Sequence, residues 1–184
     1  EMVFYAAKRE GKAFSVFAVD SGPEFEGKEL ARRLAMHQID CTYVALSAIS
    51  NVISEVKKVF IGAAGVLTNG SVYSRIGTAV VCLMASHNHK PVICCCETYK
   101  FTDKSWLNSL TNNEEGNPDR LVQPVQGCGS GVESLDATSP LDLSSWRSQE
   151  NLSLWNLQYD LTPPEYISGF ITEVGIVPPT SVPV

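Results

Sequence analysis

The chain has 184 residues, of which 44% are hydrophobic, and its formal net charge is −6 at pH 7. This length suits one soluble domain with a sizeable core, and the acidic balance gives no electrostatic footprint for nucleic acid or an anionic membrane. We find no signal-peptide pattern and no apolar run of the roughly 18 residues that a membrane span needs. None of the six cysteines forms a Cys-x-x-Cys pair, so we expect a reducing, cytoplasmic setting.

Apolar runs and helical patterns alternate along the first half of the chain. Four runs have the length of buried strands: Phe14–Val19, Cys41–Leu46, Val59–Gly62 and Val92–Cys96. Apolar residues at helical spacing predict helices over Glu26–His37, Ser47–Lys57 and Ser71–His87. Because strands that alternate with helices form right-handed βαβ units, the pattern predicts an α/β fold. We expect a Rossmann-like, open, mostly parallel sheet with helices on both faces.

The second half of the chain is more polar. A Gly- and Ser-rich stretch at about 108–149 predicts an exposed excursion from a single domain that covers residues 1–184. Thr162 and Pro163 are typical of a helix start, which predicts a helix to about Val174 that Gly175 ends. Val182–Val184 resembles a last strand. Since residue 1 falls inside an apolar, helical pattern, we expect a helical part to precede this chain in the natural protein.

Polar residues follow the predicted strands at the points where a parallel sheet binds ligands, which are the carboxyl ends of its strands. These residues predict one ligand crevice, lined by Asp20, Asn69, Arg75, Thr78, Glu97, Lys100 and Asp160. The amides at the start of the helix predicted from Ser71 would be free to meet an anion. The same residue types also serve ordinary turns and helix caps, so the local pattern leaves both interpretations open.

Two other patterns are weaker indicators of a site. Gly127–Gly131 looks like a dinucleotide-binding loop but follows no strand and opens no helix, which favours a linker. Cys94, Cys95 and Cys96 are consecutive in a strand, so their side chains alternate between two faces and cannot converge on one metal ion. We therefore predict no metal site, no cofactor and no catalytic residue from these patterns.

Three ordered runs carry a resemblance to a known family: Asn69–Thr78, Cys95–Phe101 and Asn156–Glu165. They resemble the alpha, beta and delta subunits of initiation factor 2B, a family that shares its fold with methylthioribose-1-phosphate and ribose-1,5-bisphosphate isomerases. The second run resembles the delta branch of the family in particular. Gly22 departs from the pattern, because an arginine that faces phosphate would be expected there.

The resemblance also allows the isomerase activity to be tested residue by residue. The aspartate that acts as acid or base in the isomerases aligns with Ala64, whose methyl group cannot transfer a proton. The resemblance places the catalytic cysteine of the isomerases in a segment that would precede residue 1, and none of the six cysteines present occupies that position. The resemblance therefore implies a chain without catalysis, with a sugar-phosphate isomerase, or a sugar-phosphate or nucleotide sensor, as the alternative.

The resemblance implies partners as well as a role. It implies a regulatory and scaffolding subunit of the guanine nucleotide exchange factor for initiation factor 2, which helps to sense phosphorylation of the alpha subunit of that factor. The chain would pair with the beta subunit, alongside the alpha subunit in a larger assembly, and the isolated chain could form a homodimer. We expect no direct nucleic acid or membrane partner. The predicted subunit interface consists of Leu154, Trp155, Leu157, Tyr159, Pro163 and Pro164.

Overall fold

The structure is a computed structural model that describes residues 1–106, 113–122, 143 and 145–182. Its α-helices are Met2–Arg9 (α1), Gly27–Met36 (α2), Ile49–Val52 (α3) and Thr78–His87 (α4). Its strands are Ser15–Asp20 (β1), Asp40–Ala45 (β2), Val59–Gly62 (β3), Gly65–Val66 (β4), Val72–Arg75 (β5), Val92–Cys95 (β6), Tyr159–Thr162 (β7), Gly169–Thr172 (β8) and Gly175–Val177 (β9). Among these described residues, no helix is long and apolar enough to cross a membrane.

The strands pair in three groups. β1 and β2 are parallel, and β3, β6 and β8 lie side by side as parallel strands with β9 added in the antiparallel direction. β4, β5 and β7 form a separate antiparallel group. The predicted α/β class with a mostly parallel sheet is therefore confirmed. The antiparallel group was not predicted.

Helices contact both faces of the four-stranded sheet. Val59 of β3 belongs to the buried core together with Cys82 of α4. The next residue, Phe60, points to the opposite face, where its ring meets the ring of Phe4 from α1 at 5.6 Å. Phe170 of β8 is fully buried in the core on the α4 side. The predicted arrangement of helices on both faces follows from this alternation.

The predicted helix Ser71–His87 is wrong in its first half. Val72–Arg75 is strand β5, because its backbone pairs with β7 and, at Val72 and Tyr73, also with β4. Gly77 then takes a φ of +96°, which an α-helix does not allow, and α4 begins at Thr78. Tertiary pairing has overridden the helical spacing of the apolar residues.

The predicted helix from Pro163 to about Val174 is also wrong. A short 3₁₀ turn at Pro164–Tyr166 follows β7, and the chain then forms the β8–β9 hairpin. Gly175, with a φ of +125°, lies at the hairpin turn and opens β9 instead of ending a helix.

Two further predictions are corrected in part. The helix predicted over Ser47–Lys57 is shorter, because only a 3₁₀ turn at Leu46–Ala48 and α3 form there. The strand predicted at Val182–Val184 falls partly outside the described residues, and Val182 itself follows a 3₁₀ turn at Pro179–Ser181.

The chain forms two compact units, Glu1–Asn113 with Tyr159–Val184 and Glu114–Gln158. In the second unit, Asn156 holds the ends of the segment together: its carbonyl accepts from the Gly116 amide at 2.7 Å, and its side chain donates to the Asn117 carbonyl at 2.9 Å. The predicted polar excursion falls mainly in this unit. Gly127–Gly131 lies outside the described residues, and the single-domain organisation stays a prediction.

Candidate functional site

Asp20 ends β1 at the carboxyl edge, as predicted. Its two carboxylate oxygens accept hydrogen bonds from the Ser21 amide and the Tyr43 hydroxyl, each at 2.9 Å. Burial and this bond to a carboxylate raise the pKa of Tyr43 to about 12, so the phenol stays protonated as a donor. Gly27 lies so close that an added Cβ would fall 2.8 Å from the Asp20 Cβ. Asp20 is therefore held in place by the turn that follows β1 and by the neighbouring strand β2.

The loop 21–26 is fastened to the turn between β5 and α4. The Ser21 hydroxyl donates to the Ile76 carbonyl at 3.1 Å, and Arg75 forms an ion pair with Glu26 at 2.8 Å. Gly77 allows this approach, since a Cβ there would fall 3.2 Å from the Ser21 Oγ. We call these contacts the loop clasp. They bring Asp20 and Arg75 to one place, although the residues lie far apart in the chain.

Thr78 and Asp160 organise the first turn of α4. The Thr78 hydroxyl donates to the Arg75 carbonyl at 2.6 Å, and one Asp160 carboxylate oxygen accepts from the Ala79 amide at 2.9 Å. Burial raises the pKa of Asp160 to about 6, and the amides at the helix start, which favour the charged form, offset only part of this effect. The predicted anion site at the helix start is therefore corrected in two respects: the helix begins at Thr78, and Asp160 already accepts from its first turn.

Asn69 lies in the turn between β4 and β5. Its side-chain oxygen accepts from the Ser71 amide at 3.0 Å, which is a local turn contact. The adjacent Gly70 has a φ of +79° and is packed against Pro164 and Pro179. The described hydrogen bond of Asn69 thus serves its own turn and does not join it to the loop clasp.

Glu97 and Lys100 form a third group beyond β6. They are paired with each other at 3.0 Å, and this pairing lowers the pKa of Glu97 and raises that of Lys100. Glu173, at the tip of the β8–β9 hairpin, accepts hydrogen bonds from the amide and the hydroxyl of Thr98. Because Glu26 neutralises Arg75 and Glu97 neutralises Lys100, both cations of the predicted crevice have acidic partners within the chain.

The predicted interface residues divide between the two units. Trp155 is 64% exposed in the second unit, where Leu154 and Leu157 are half-buried. In the first unit, Tyr159 stacks on Tyr73 with ring centroids 4.6 Å apart, and the Arg75 guanidinium lies 5.0 Å from the Tyr159 ring centroid.

Pro163 and Pro164 are half-buried where the 3₁₀ turn Pro164–Tyr166 of the first unit begins. Of the six predicted interface residues, Trp155 offers the largest free apolar surface. The interface itself stays a prediction.

The structure places Ala64 and the cysteine run, two positions that the sequence analysis weighed for chemistry. Ala64 follows β3 and donates its amide to the Tyr73 carbonyl at 2.8 Å, with only a methyl group as its side chain. Cys94 and Cys96 are buried in the core, while Cys95 points to the other face of the sheet. Within the described ranges, no three acidic, histidine or cysteine side chains are grouped as metal ligands would be.

Sequence reasoning missed several residues that shape this region. Ser21 and Glu26 of the loop clasp, and Ser74 of the β5–β7 ladder, were not singled out, and Thr162 was assigned only to a helix start. An acidic residue next to Gly27 is common in turns, so the sequence around Glu26 gave only a weak indication of its ion pair with Arg75. Ser74 and Thr162 could not be recognised as members of paired strands, because the sequence analysis assigned these positions to helices.

Comparison with known proteins gives a consistent result. A family model described as the initiation factor 2 subunit family matches residues 1–179. The delta subunit of translation initiation factor eIF2B from Dictyostelium discoideum is 46% identical over 100% of this chain and 28% of that protein. The corresponding protein from Schizosaccharomyces pombe is 44% identical over 98% of this chain and 37% of that protein. Ribose 1,5-bisphosphate isomerase from Thermococcus kodakarensis is 32% identical over 96% of this chain and 49% of the enzyme.

Solved structures show the same fold. The crystal structure of translation initiation factor eIF-2B subunit delta from A. fulgidus superposes with a TM-score of 0.74 at 27% identity, covering 98% of this chain and 48% of that one. The 5-methylthioribose 1-phosphate isomerase from Pyrococcus horikoshii OT3 also superposes with a TM-score of 0.74, at 20% identity over 95% of this chain and 45% of that one, which shows the fold alone. The chain thus spans about half or less of the length of these relatives. It belongs to the initiation factor 2 subunit family.

Proposed function

We propose that this chain is the regulatory and scaffolding domain of a delta subunit of the guanine nucleotide exchange factor for initiation factor 2. It acts in the cytoplasm, pairs with the beta subunit and, with the alpha subunit in the larger assembly, helps to sense phosphorylation of the alpha subunit of initiation factor 2. The observation that carries this proposal is the 44–46% identity to two delta subunits over nearly the whole chain. Identity to the ribose 1,5-bisphosphate isomerases is lower, at 29–32%.

The chemistry of the strand ends supports a function without catalysis. Ala64 provides no acid or base where the sequence resemblance expects an aspartate. Arg75 and Lys100 are each paired with a carboxylate, and Asp160 accepts from the first turn of α4. A phosphorylated substrate would have to displace these internal partners, which costs affinity.

We expect this chain, mixed at micromolar concentration with the matching region of a beta subunit, to form a 1:1 complex in sedimentation velocity. Trp155→Ala should weaken that complex at least about tenfold, because a largely exposed tryptophan is the type of side chain that dominates subunit interfaces. Met36→Ala is the matched control, since Met36 is 69% exposed on α2 and lies outside the predicted interface.

The two outcomes of this experiment are separable. A complex that forms but tolerates Trp155→Ala would support the pairing and refute the assignment of Trp155 to the interface. If the unchanged chain formed no complex with the beta-subunit region, the proposed pairing itself would be wrong.

An isomerase or a sugar-phosphate sensor is the second candidate, because the isomerase relative from Thermococcus kodakarensis is similar over 96% of the chain. We expect no turnover of ribose 1,5-bisphosphate and no heat of binding at millimolar concentration, since the cations of the crevice are already paired. An archaeal isomerase assayed in parallel is the positive control. Tight binding without turnover would favour the sensor, and turnover would favour the enzyme.

A further inference from the structure

Three buried polar side chains share one face of the β5–β7 ladder. Ser74 is directly opposite Asp160 in the register of these antiparallel strands, and Thr162 is two residues further along β7. Residues at these positions point to the same face of a sheet. Their exposures are 4% for Ser74, 9% for Asp160 and 0% for Thr162, so bulk solvent does not satisfy their hydrogen-bonding capacity. We call this group the buried polar cluster.

Each member of the buried polar cluster has one oxygen without a hydrogen-bond partner in the protein. These atoms are the Ser74 Oγ, the Asp160 Oδ1 and the Thr162 Oγ1. The other oxygen of Asp160 is occupied by the Ala79 amide at the start of α4. Buried polar atoms without partners are costly and rare in native proteins, so three on one face indicate a shared partner.

The thiol of Cys82 is a poor candidate for that partner. Cys82 of α4 is fully buried, and burial raises the pKa of its thiol to about 12. A contact with the Thr162 hydroxyl lowers this pKa in part, and the Asp160 charge adds to the rise. Cys82 therefore stays a neutral thiol, and a thiol is only a weak hydrogen-bond donor and acceptor. The strong acceptor Asp160 Oδ1 needs a better donor.

We propose that Ser74, Asp160 and Thr162 bind one structural water molecule, which ties β5 and β7 to the start of α4. A water can donate to the carboxylate and to one hydroxyl oxygen while accepting from the other hydroxyl, and about three hydrogen bonds are typical of a buried water. Three oxygens are too few for a hard divalent cation, which takes six or more oxygen ligands. The site goes beyond the proposed function and does not depend on it.

The site also explains why polar residues stand at these core positions. Ser74 precedes Arg75 of the loop clasp, and Asp160 holds the first turn of α4 with its other oxygen. A water shared by both strands therefore fixes the helix start relative to the strand that carries Arg75.

A high-resolution crystal structure of this chain tests the assignment directly. We expect a density peak at about 2.6–3.2 Å from all three oxygens, as for hydrogen-bonded water. A direct hydrogen bond between the Ser74 Oγ and the Asp160 Oδ1, without a density peak for water near them, would overturn the proposal. So would a peak at about 2.4 Å from the three oxygens, which is a cation distance.

Substitutions give a second test that needs no crystal. Ser74→Ala and Thr162→Val should each raise the unfolding equilibrium constant about tenfold, because each removes one partner of the water. Once the first change has weakened water binding, the second should destabilise the protein less. The unfolding equilibrium constant of the double variant should therefore rise by clearly less than the product of the two single increases. If the increase in the double variant equalled the product of the two single increases, a shared water would be refuted. Thr42→Val, the same change at an exposed position of β2, should have little effect.

Discussion

Replacing Gly77 by alanine should lower the free energy of unfolding by about 2–5 kcal/mol, from backbone strain of about 1–2 kcal/mol and overpacking of about 1–3 kcal/mol. Gly77 has a φ of +96°, which side chains rarely adopt. An added Cβ would fall 2.8 Å from the Leu46 Cδ2 and 3.2 Å from the Ser21 Oγ. The change should therefore loosen the loop clasp as well as the start of α4. Urea denaturation of the variant and the parent measures the loss.

Gly11 provides the matched control for this prediction. Its φ of +72° is also left-handed, but an added Cβ there would meet nothing within 4 Å. Gly11→Ala should show only the strain, about 1–2 kcal/mol. Equal losses at the two positions would mean that the close approach of Gly77 to Leu46 and Ser21 contributes nothing.

Asp160→Asn should change the pH dependence of stability by about 2 kcal/mol between pH 4 and pH 7, with allowance for screening of a partly buried group. Burial raises the pKa of Asp160 to about 6 from 3.8, so the folded protein holds this proton more tightly than the unfolded chain. The stabilisation from proton binding is complete below the unfolded pKa and is lost as the pH rises through about 6. Asparagine does not titrate, so the stability of the variant relative to the parent should rise between about pH 4 and about pH 7.5, as the parent's buried carboxyl becomes charged.

The measurement is the difference in unfolding free energy between variant and parent across that pH range. Taking the difference removes the opposite contribution of exposed carboxylates such as Glu29 and Asp119, whose pKa values are lowered by paired arginines. Asp160→Ala is the companion variant: it removes the acceptor for the Ala79 amide and should cost about 1–3 kcal/mol at neutral pH. A difference between Asp160→Asn and the parent that is independent of pH would show that Asp160 does not titrate in this range.

The sequence predicted the parallel part of the fold well. The prediction of Val59–Gly62 as a strand is confirmed to the residue, and the helix predicted over Glu26–His37 appears as Gly27–Met36. These elements were predictable because their hydrophobic pattern is local and each repeats with the period of its own secondary structure. Asp20 follows the same rule, because it ends a strand of a parallel pair. Arg75 and Asp160 lie instead on antiparallel strands, and the ligand crevice stays a prediction.

The antiparallel group and the contacts around it were decided by the tertiary structure. Val72–Arg75 became a strand because β4 pairs with it on one side and β7, about ninety residues later, pairs with it on the other. The ion pair of Arg75 with Glu26 spans 49 positions, and the hydrogen bond of Asp160 to the Ala79 amide spans 81. The sequence by itself determined the α/β class, the family resemblance and the residue types at the strand ends. Which of those residues meet, and which are already paired within the chain, depends on contacts between distant segments, and no local pattern encodes such contacts.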